Sequence, residues 1–227
     1  MDKSTFRWLH ESMDPLWGRR KDANYVASII PKGFLAYARI LHPAYEKGSN
    51  REISWSEMAK YSSKQAHAEM QWHQITAAKS ESTDIIPPII GSLPEKQTKI
   101  LADILRKHTE TPSEIYFALW EGLGLDFSKT PWKNAEKLEL SNRHYYVIQS
   151  TLDAVTELCT FEYFQSPGLW WPKDRAWCTA TDIDLMCTYV GGKKSCIEMI
   201  LKDKRLEAFP ANPNHRVDRE GDPINGS

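Results

Sequence analysis

The residues best suited to chemistry in this 227-residue chain are concentrated between Gln165 and Phe209. Asp182 and Asp184 stand two apart in the sequence TDIDL, at the predicted end of a strand, where alternate side chains share one face. Two carboxylates on one face can hold Mg²⁺ or Mn²⁺, with a nucleotide phosphate as a further ligand. The alternative is a pair that closes a turn or contacts Lys173 or Arg175. Because an isolated D-x-D is common, we predict no metal site and no cofactor.

A second candidate is the glycine-rich segment Gly191-Gly192-Lys193-Lys194-Ser195, which resembles half of a phosphate-binding loop. The complete loop needs another glycine upstream, where this chain has Cys187 and Thr188, so the match fails. A glycine-rich turn that opens a helix can still present free N–H groups to an anion. The alternative is a simple turn that requires glycine for its backbone angles.

The third candidate is the tryptophan-rich block of Trp170, Trp171, Pro172 and Trp177, which also contains Arg175. Pro172 cannot continue a helix, and adjacent tryptophans in a strand cannot both face one core. We therefore expect at least one indole to lie half exposed in a loop. There it could stack on a base or sugar, or anchor a protein partner. The alternative is a loop that folds as a lid over the core.

Complete catalytic or metal-binding signatures are missing from the sequence. His67, Glu69 and His73 match neither the H-E-x-x-H nor the deaminase pattern, and no G-x-S-x-G is present. The four cysteines, Cys159, Cys178, Cys187 and Cys196, fit no zinc spacing, so we predict buried, reduced thiols.

Composition limits the classes of function further. The net charge of −1 argues against a nucleic-acid partner, which requires a basic face. The chain has no apolar run of membrane-spanning length and no apolar signal segment at its N-terminus. We therefore expect a cytoplasmic protein that does not contact membranes.

The distribution of apolar residues predicts an α+β fold in one compact domain. We expect a mixed or antiparallel sheet of about five to six strands, together with about five helices. Residues 1–24 are predicted to be an N-terminal arm or helix, and residues 25–210 the domain, with a possible boundary near 80–92. Residues 211–227 are polar and rich in glycine and proline, which predicts a mobile tail.

Two segments carry the most specific local predictions. Ser92, Pro94 and Glu95 are typical of a helix start with a capping box, followed by an apolar face of Ile100, Leu101, Ile104 and Leu105. The run from Tyr25 to Ile30 is rich in β-forming residues and ends at Pro31, which predicts a strand.

Three sequence blocks resemble a group of uncharacterised soluble bacterial proteins: SPGLWWPKDRAWCTATDIDLMCTYVGG, IYFALWEGLG and ARILHPA. The likeness extends over residues 34–210 in scattered blocks and is most specific in WWP-x-DRAW. It implies a bacterial or phage-derived intracellular protein, and it implies no activity and no catalytic residue.

These features predict a non-catalytic intracellular binding protein, of the immunity, inhibitor or sensor type, that uses a Trp-rich C-terminal surface. A protein partner is expected before a small molecule. The alternative is an enzyme or sequestering protein for a phosphorylated small molecule or nucleotide, possibly Mg-dependent. The predicted contact residues are Trp170, Trp171, Arg175, Trp177, Asp182, Asp184, Gly191, Gly192, Lys193 and Lys194.

Overall fold

The computed structural model of the protein describes residues 6–16, 23–76, 84–124, 135–140, 143–157 and 164–226. Within those ranges, helices and strands alternate irregularly, which confirms the α+β class. The α-helices are α1 (Arg7–Ser12), α2 (Trp55–Tyr61), α3 (Trp72–Thr76), α4 (Glu95–Leu105) and α5 (Lys194–Lys202). The strands are β1 (Ala36–Leu41), β2 (Ala44–Glu46), β3 (Glu52–Ile53), β4 (Ile85–Ile86), β5 (Ile115–Trp120), β6 (Glu136–Leu140), β7 (Arg143–Ser150), β8 (Leu169–Pro172), β9 (Trp177–Ala180), β10 (Cys187–Gly192) and β11 (Ala208–Ala211).

Eight of the described strands form one antiparallel sheet in the order β11-β1-β10-β9-β8-β5-β7-β6. The prediction of five to six strands is therefore wrong. Strands β8 and β10 are not apparent in the sequence, because Pro172 and the glycines that end β10 are typical of loops. A second, small sheet pairs β2 with β3 and β4.

The main sheet is covered on both faces, and this arrangement decides where its side chains lie. Helices α4 and α5 cover one face, where they pack against Phe117, Trp170 and Val190. Helices α1, α2 and α3 cover the other face, which presents Tyr116 and Trp171. Because successive side chains of a strand point to opposite faces, every residue of a central strand meets a core here.

The predicted helix after Ser92 is confirmed, although its N-cap position lies two residues later, at Pro94. The first helical residue is Glu95, and no side chain caps the helix. The Ser92 hydroxyl instead accepts a hydrogen bond of 2.9 Å from the Ser166 amide, so it is not available as the cap. The predicted apolar face is confirmed, because all four of its residues are buried.

Replacing Leu101 with alanine tests this packing. Leu101 is fully buried between α4 and the sheet, so we expect the free energy of unfolding to fall by about 2–5 kcal/mol. The exposed Lys99→Ala variant of the same helix is the control, and it should change the stability by less than about 0.5 kcal/mol. Equal urea midpoints for the two variants would contradict the packing.

The two chain segments at the edges of the domain differ from their predictions. Tyr25 to Ile30 forms a 3₁₀ turn at Val26–Ser28 rather than a strand. The amides of Val26 and Ala27 donate to carbonyl oxygens of the C-terminal segment at 3.0 Å each. The C-terminal segment, predicted to be a mobile tail, is packed along the body and buries Val217, Asp222 and Asn225.

No helix within the described ranges has the length and apolar character needed to cross a bilayer.

Candidate functional site

The tryptophan-rich block does not form the predicted exposed loop. Trp170 and Trp171 belong to β8 and Trp177 to β9, and their exposed fractions are 1%, 1% and 0%. Trp170 packs against Trp177 on one face, with ring centroids 5.3 Å apart, while Trp171 stacks on Tyr116 on the other. The predicted Trp-rich binding surface is therefore wrong: a sheet with a core on each face buries both neighbouring indoles.

The remaining residues of the C-terminal prediction separate into different parts of the fold. Gly191 and Gly192 are buried residues of β10, not a turn, and a Cβ on Gly191 would lie 2.4 Å from the Phe34 ring. Lys193 and Lys194 are exposed at the start of α5. The exposed Arg175 places its guanidinium carbon 5.2 Å from the ring centroid of Trp8. These residues therefore do not converge on one site.

Asp182 and Asp184 do lie together, and their partner is Arg143, the first residue of β7. The Arg143 guanidinium donates to Asp182 and, at 2.9 Å, to Asp184. The exposed fraction is 10% for the Asp182 side chain and 75% for the Asp184 side chain. Burial raises the pKa of Asp182 above its ordinary value, and the charge of Arg143 acts in the opposite direction.

These three charged residues form part of the wall of a cavity of about 300 Å³ beside the turn between β9 and β10. This volume is at the lower end of the range typical of small-molecule sites. The wall on the side of the helices includes Trp55, Trp72 and His73, and the wall on the side of the sheet includes Arg39 and Cys187.

Arg39, in β1, is the least expected residue of this wall. Its side chain is buried, with a residue exposure of 4%. Its Nη1 donates to the carbonyl oxygens of Ala68 at 3.0 Å and Met70 at 2.9 Å, but its Nε is buried without a hydrogen-bond partner among the described residues. The ion pairs of the described residues do not include Arg39. A guanidinium remains charged under ordinary conditions, so the wall contains a buried, unpaired positive charge.

The electrostatic environment keeps Arg39 charged. Burial acts to lower the pKa of its guanidinium, while the neighbouring groups of Cys187 and Tyr189 raise it, and the balance lies above the ordinary value. The Arg39 Cζ also lies 5.5 Å from the ring centroid of Trp55, a cation–π contact that stabilises the charge. The charge of Glu69 also raises this pKa, but Glu69 forms no ion pair with Arg39 among the described residues, whereas a buried guanidinium usually has one.

The helical side of the cavity combines apolar and polar surface. Trp55 and Trp72 lie with ring centroids 5.4 Å apart, and the Trp55 indole N–H donates to the His42 carbonyl oxygen at 2.8 Å. The Nε2 atom of His73 is buried and has no hydrogen-bond partner among the described residues. Burial lowers the pKa of His73, so its ring is neutral near pH 7. The cavity therefore has two unsatisfied nitrogen atoms in its wall residues.

The C-terminal segment holds this side of the cavity in place. Asp222 accepts hydrogen bonds from the His67 ring at 2.9 Å and from the Gln71 amide at 3.1 Å. Asn225 bonds to the backbone of Gln65 through both its amide oxygen and its amide nitrogen, each at 3.0 Å. These bonds fix the segment that supplies the two carbonyl acceptors of Arg39, as well as Trp72 and His73.

Sequence reasoning missed Arg39 and Arg143, although the sequence around Arg39 contains a signal that could have identified it. Arg39 interrupts the apolar run FLAYARIL, and a charged residue inside a buried strand is rare unless it is paired. Arg143 lies 39 residues from Asp182, so only the strand order could bring them together. For Asp182 and Asp184 the sequence left a contact with Lys173 or Arg175 as one alternative, and the structure gives them a different basic partner, Arg143.

The arrangement defines a cavity whose wall residues include charged groups of both signs. Within the described residues, no group of three or more histidine, cysteine or acidic side chains is placed to hold a metal ion. Comparisons of the chain with protein-family models, with curated proteins and with solved structures found no match. The resemblance to a bacterial group that shares the WWP-x-DRAW block therefore stays a prediction.

Proposed function

We propose that this chain is a non-catalytic binding protein, of the sensor or sequestering type, for a small molecule that carries an anionic group. The cavity beside the turn between β9 and β10 is its site. The observation that carries the proposal is Arg39, a buried guanidinium with an unsatisfied Nε and no paired carboxylate among the described residues. Burying an unpaired charge costs free energy, and an anionic ligand would offset that cost.

The surrounding wall supports a ligand rather than a purely structural arginine. A structural arginine in a core normally donates to carboxylates, whereas Arg39 donates to two carbonyl oxygens and lines a cavity. Trp55 and Trp72, with Leu185 and Met186, supply apolar surface next to this charge. A few polar groups within mainly apolar walls are typical of ligand sites.

The proposal differs from the function expected from sequence in its partner. The protein partner was assigned to an exposed indole surface, and the burial of all three tryptophans removes that surface. The Mg-dependent alternative also loses support, because Arg143 bonds to both of the carboxylates that a divalent cation would need.

A cytoplasmic location belongs to the proposal, since Cys178, Cys187 and Cys196 are free thiols, as expected in a reducing compartment.

A ligand panel with thermal unfolding as the readout tests the proposal. Small carboxylates and phosphorylated compounds are added to the protein and to the Arg39→Met and Arg39→Lys variants. A ligand at a hundred times its Kd stabilises the native protein by about 2.7 kcal/mol. Losing a charge-assisted hydrogen bond costs about 1.5–3 kcal/mol, so we expect Arg39→Met to weaken binding roughly ten- to a hundredfold. Arg39→Lys should retain part of the affinity, because it keeps the charge without the guanidinium geometry.

The matched control is Arg205→Met, which removes an exposed arginine that pairs with Asp203 outside the cavity. Each variant is compared with its own unfolding temperature without ligand, so a change in stability does not count as a change in affinity. Unchanged affinity of the best ligand in Arg39→Met, or the absence of any stabilising anion for the unaltered protein, would contradict the proposal.

A further inference from the structure

We infer that the ligand of this cavity is a small zwitterion with an apolar body, of the amino-acid class. The inference rests on the proposed function and deepens it, because it assigns a second, positively charged group to the ligand. It comes from the charges of the cavity wall, which balance in number but include a buried guanidinium without an ion pair and two carboxylates that share one guanidinium.

The wall contains equal numbers of the two charges. Three guanidinium groups and three carboxylate groups line it: Arg39, Arg143 and Arg219, and Asp182, Asp184 and Asp218. A ligand with no net charge therefore keeps this balance of wall groups, in which Asp218 is also ion-paired at 2.6 Å with Arg216 outside the wall. A phosphate dianion would add two negative charges next to an aspartate pair, which like-charge repulsion disfavours.

Two features of the wall have charges that are not balanced locally. Arg39 is buried and has no ion-pair partner among the described residues, and a carboxylate is the usual partner of a buried guanidinium. Elsewhere in the wall, Arg143 is shared by Asp182 and Asp184, so this group of three carries one excess negative charge. The Asp184 side chain is 75% exposed and its carboxylate has acceptor capacity beyond the bond from Arg143. An ammonium group would compensate that excess charge.

The rest of the wall agrees with a ligand that has an apolar body. Part of the wall is apolar and uncharged, so it suits an aliphatic or aromatic ligand body. It is formed by Trp55, Trp72, Leu185 and Met186. The volume of about 300 Å³ admits a compound of this size.

The test uses sets of three compounds that differ only in the charged groups. The amino acids leucine and phenylalanine are compared with 4-methylpentanoate and 3-phenylpropanoate, which lack the amino group, and with 3-methylbutylamine and 2-phenylethylamine, which lack the carboxylate. The series from 4-aminobutanoate to 6-aminohexanoate varies the distance between the two charges. Isothermal titration measures Kd for the full chain. We expect at least one zwitterion to bind tenfold or more tightly than both of its singly charged analogues.

The Asp184→Asn variant tests where the amino group lies. This side chain is exposed, so its replacement should leave the fold intact while reducing the preference for the amino compound by tenfold or more. Asp153→Asn is the control, because Asp153 is another exposed aspartate paired with an arginine, Arg106, outside the cavity. That variant should bind all compounds as the unaltered protein does.

The outcomes separate this inference from the proposed function. If simple carboxylates bind as tightly as their amino analogues, or Asp184→Asn keeps the preference, the zwitterion is ruled out and the anion site stands. If phosphorylated compounds bind more tightly than any zwitterion, the inference is also wrong. If no compound in either panel binds, both the inference and the proposed function fail.

Discussion

Replacing either Trp170 or Trp171 with alanine should lower the free energy of unfolding by about 3–5 kcal/mol. Both indoles are 1% exposed, and each packs in a different core. Trp170 stacks on Phe117 with ring centroids 6.3 Å apart, while Trp171 stacks on Tyr116 at 5.6 Å. Truncation leaves a cavity among aromatic rings that are held by the strands and cannot close around it. We expect urea unfolding to show this loss for each variant separately.

The exposed Tyr61→Ala variant is the control for this experiment. Its side chain is 61% exposed, so a change of about 0.5 kcal/mol or less is expected. If one tryptophan variant behaved like the control, that indole would lie in solvent and the exposed loop would be restored as a candidate surface. If both variants lose stability as expected, the tryptophans act in folding and the cavity beside Arg39 remains the candidate site.

The misplacement of these tryptophans shows where sequence patterns stop being informative. The alternation of side chains across a strand is correct for β8, and it does send Trp170 and Trp171 to opposite faces. The error lies in the assumption of one core. Whether helices cover one face of a sheet or both depends on distant parts of the chain. The sequence of residues 169–172 does not indicate that α1 and α4 pack on opposite sides of them.

Local signals predicted local structure well. The apolar spacing of Ile100, Leu101, Ile104 and Leu105 identified the buried face of α4, because helical periodicity is a property of the segment itself. Glu114–Trp120 and Arg143–Gln149 are also rich in β-forming residues, which predicts strands, and the structure has strands at Ile115–Trp120 and Arg143–Ser150. Tyr25 to Ile30 failed because its amides bond to the C-terminal segment, about 190 residues away, rather than to a strand.

The candidate site was predicted only in part, because most of its residues are far apart in the sequence. Asp182 and Asp184 are adjacent in sequence and were recognised as a pair. Arg39, Arg143 and Trp55 come from three separate elements. The order of the strands places Arg39 and Arg143, and the packing of α2 on the sheet adds Trp55 to the same cavity. Spacing along the chain contains no information on such a convergence, whereas a charged residue inside the apolar run of β1 is a local signal that points to it.

A strong pH dependence is expected from His42, a fully buried histidine between β1 and β2. Its Nδ1 donates to the Ile89 carbonyl oxygen at 2.7 Å, and its Nε2 lies 2.9 Å from the Thr188 hydroxyl. Burial lowers the pKa of His42 to about 4, the bond to Ile89 opposes this effect, and the charge of Arg39 adds to it. The ring is therefore neutral in the native protein near pH 7, with its proton on Nδ1.

The direction of the effect follows from comparing the folded and unfolded chains. Above pH 6.5 the ring is neutral in both states, so His42 adds no pH dependence there. As the pH falls from about 6.5 to about 4, the unfolded chain takes up a proton that the native chain does not, and the native state loses stability. The difference between the ordinary pKa and the lowered value corresponds to about 3 kcal/mol, and the loss levels off below the folded pKa.

Urea unfolding between pH 7.5 and pH 4 measures this loss, and variants isolate the contribution of His42. His42→Gln should lower stability at pH 7.5, because it disturbs the bonds to Ile89 and Thr188, but its stability should fall less steeply with pH than that of the unaltered protein. His144→Gln, at an exposed position of β7, should keep the steep dependence. Other groups titrate in this range in all three proteins, so only the difference between their slopes counts. Parallel curves for the unaltered protein and His42→Gln would mean that His42 is protonated in the folded state as readily as in the unfolded chain, and that the core beside Arg39 tolerates a second positive charge.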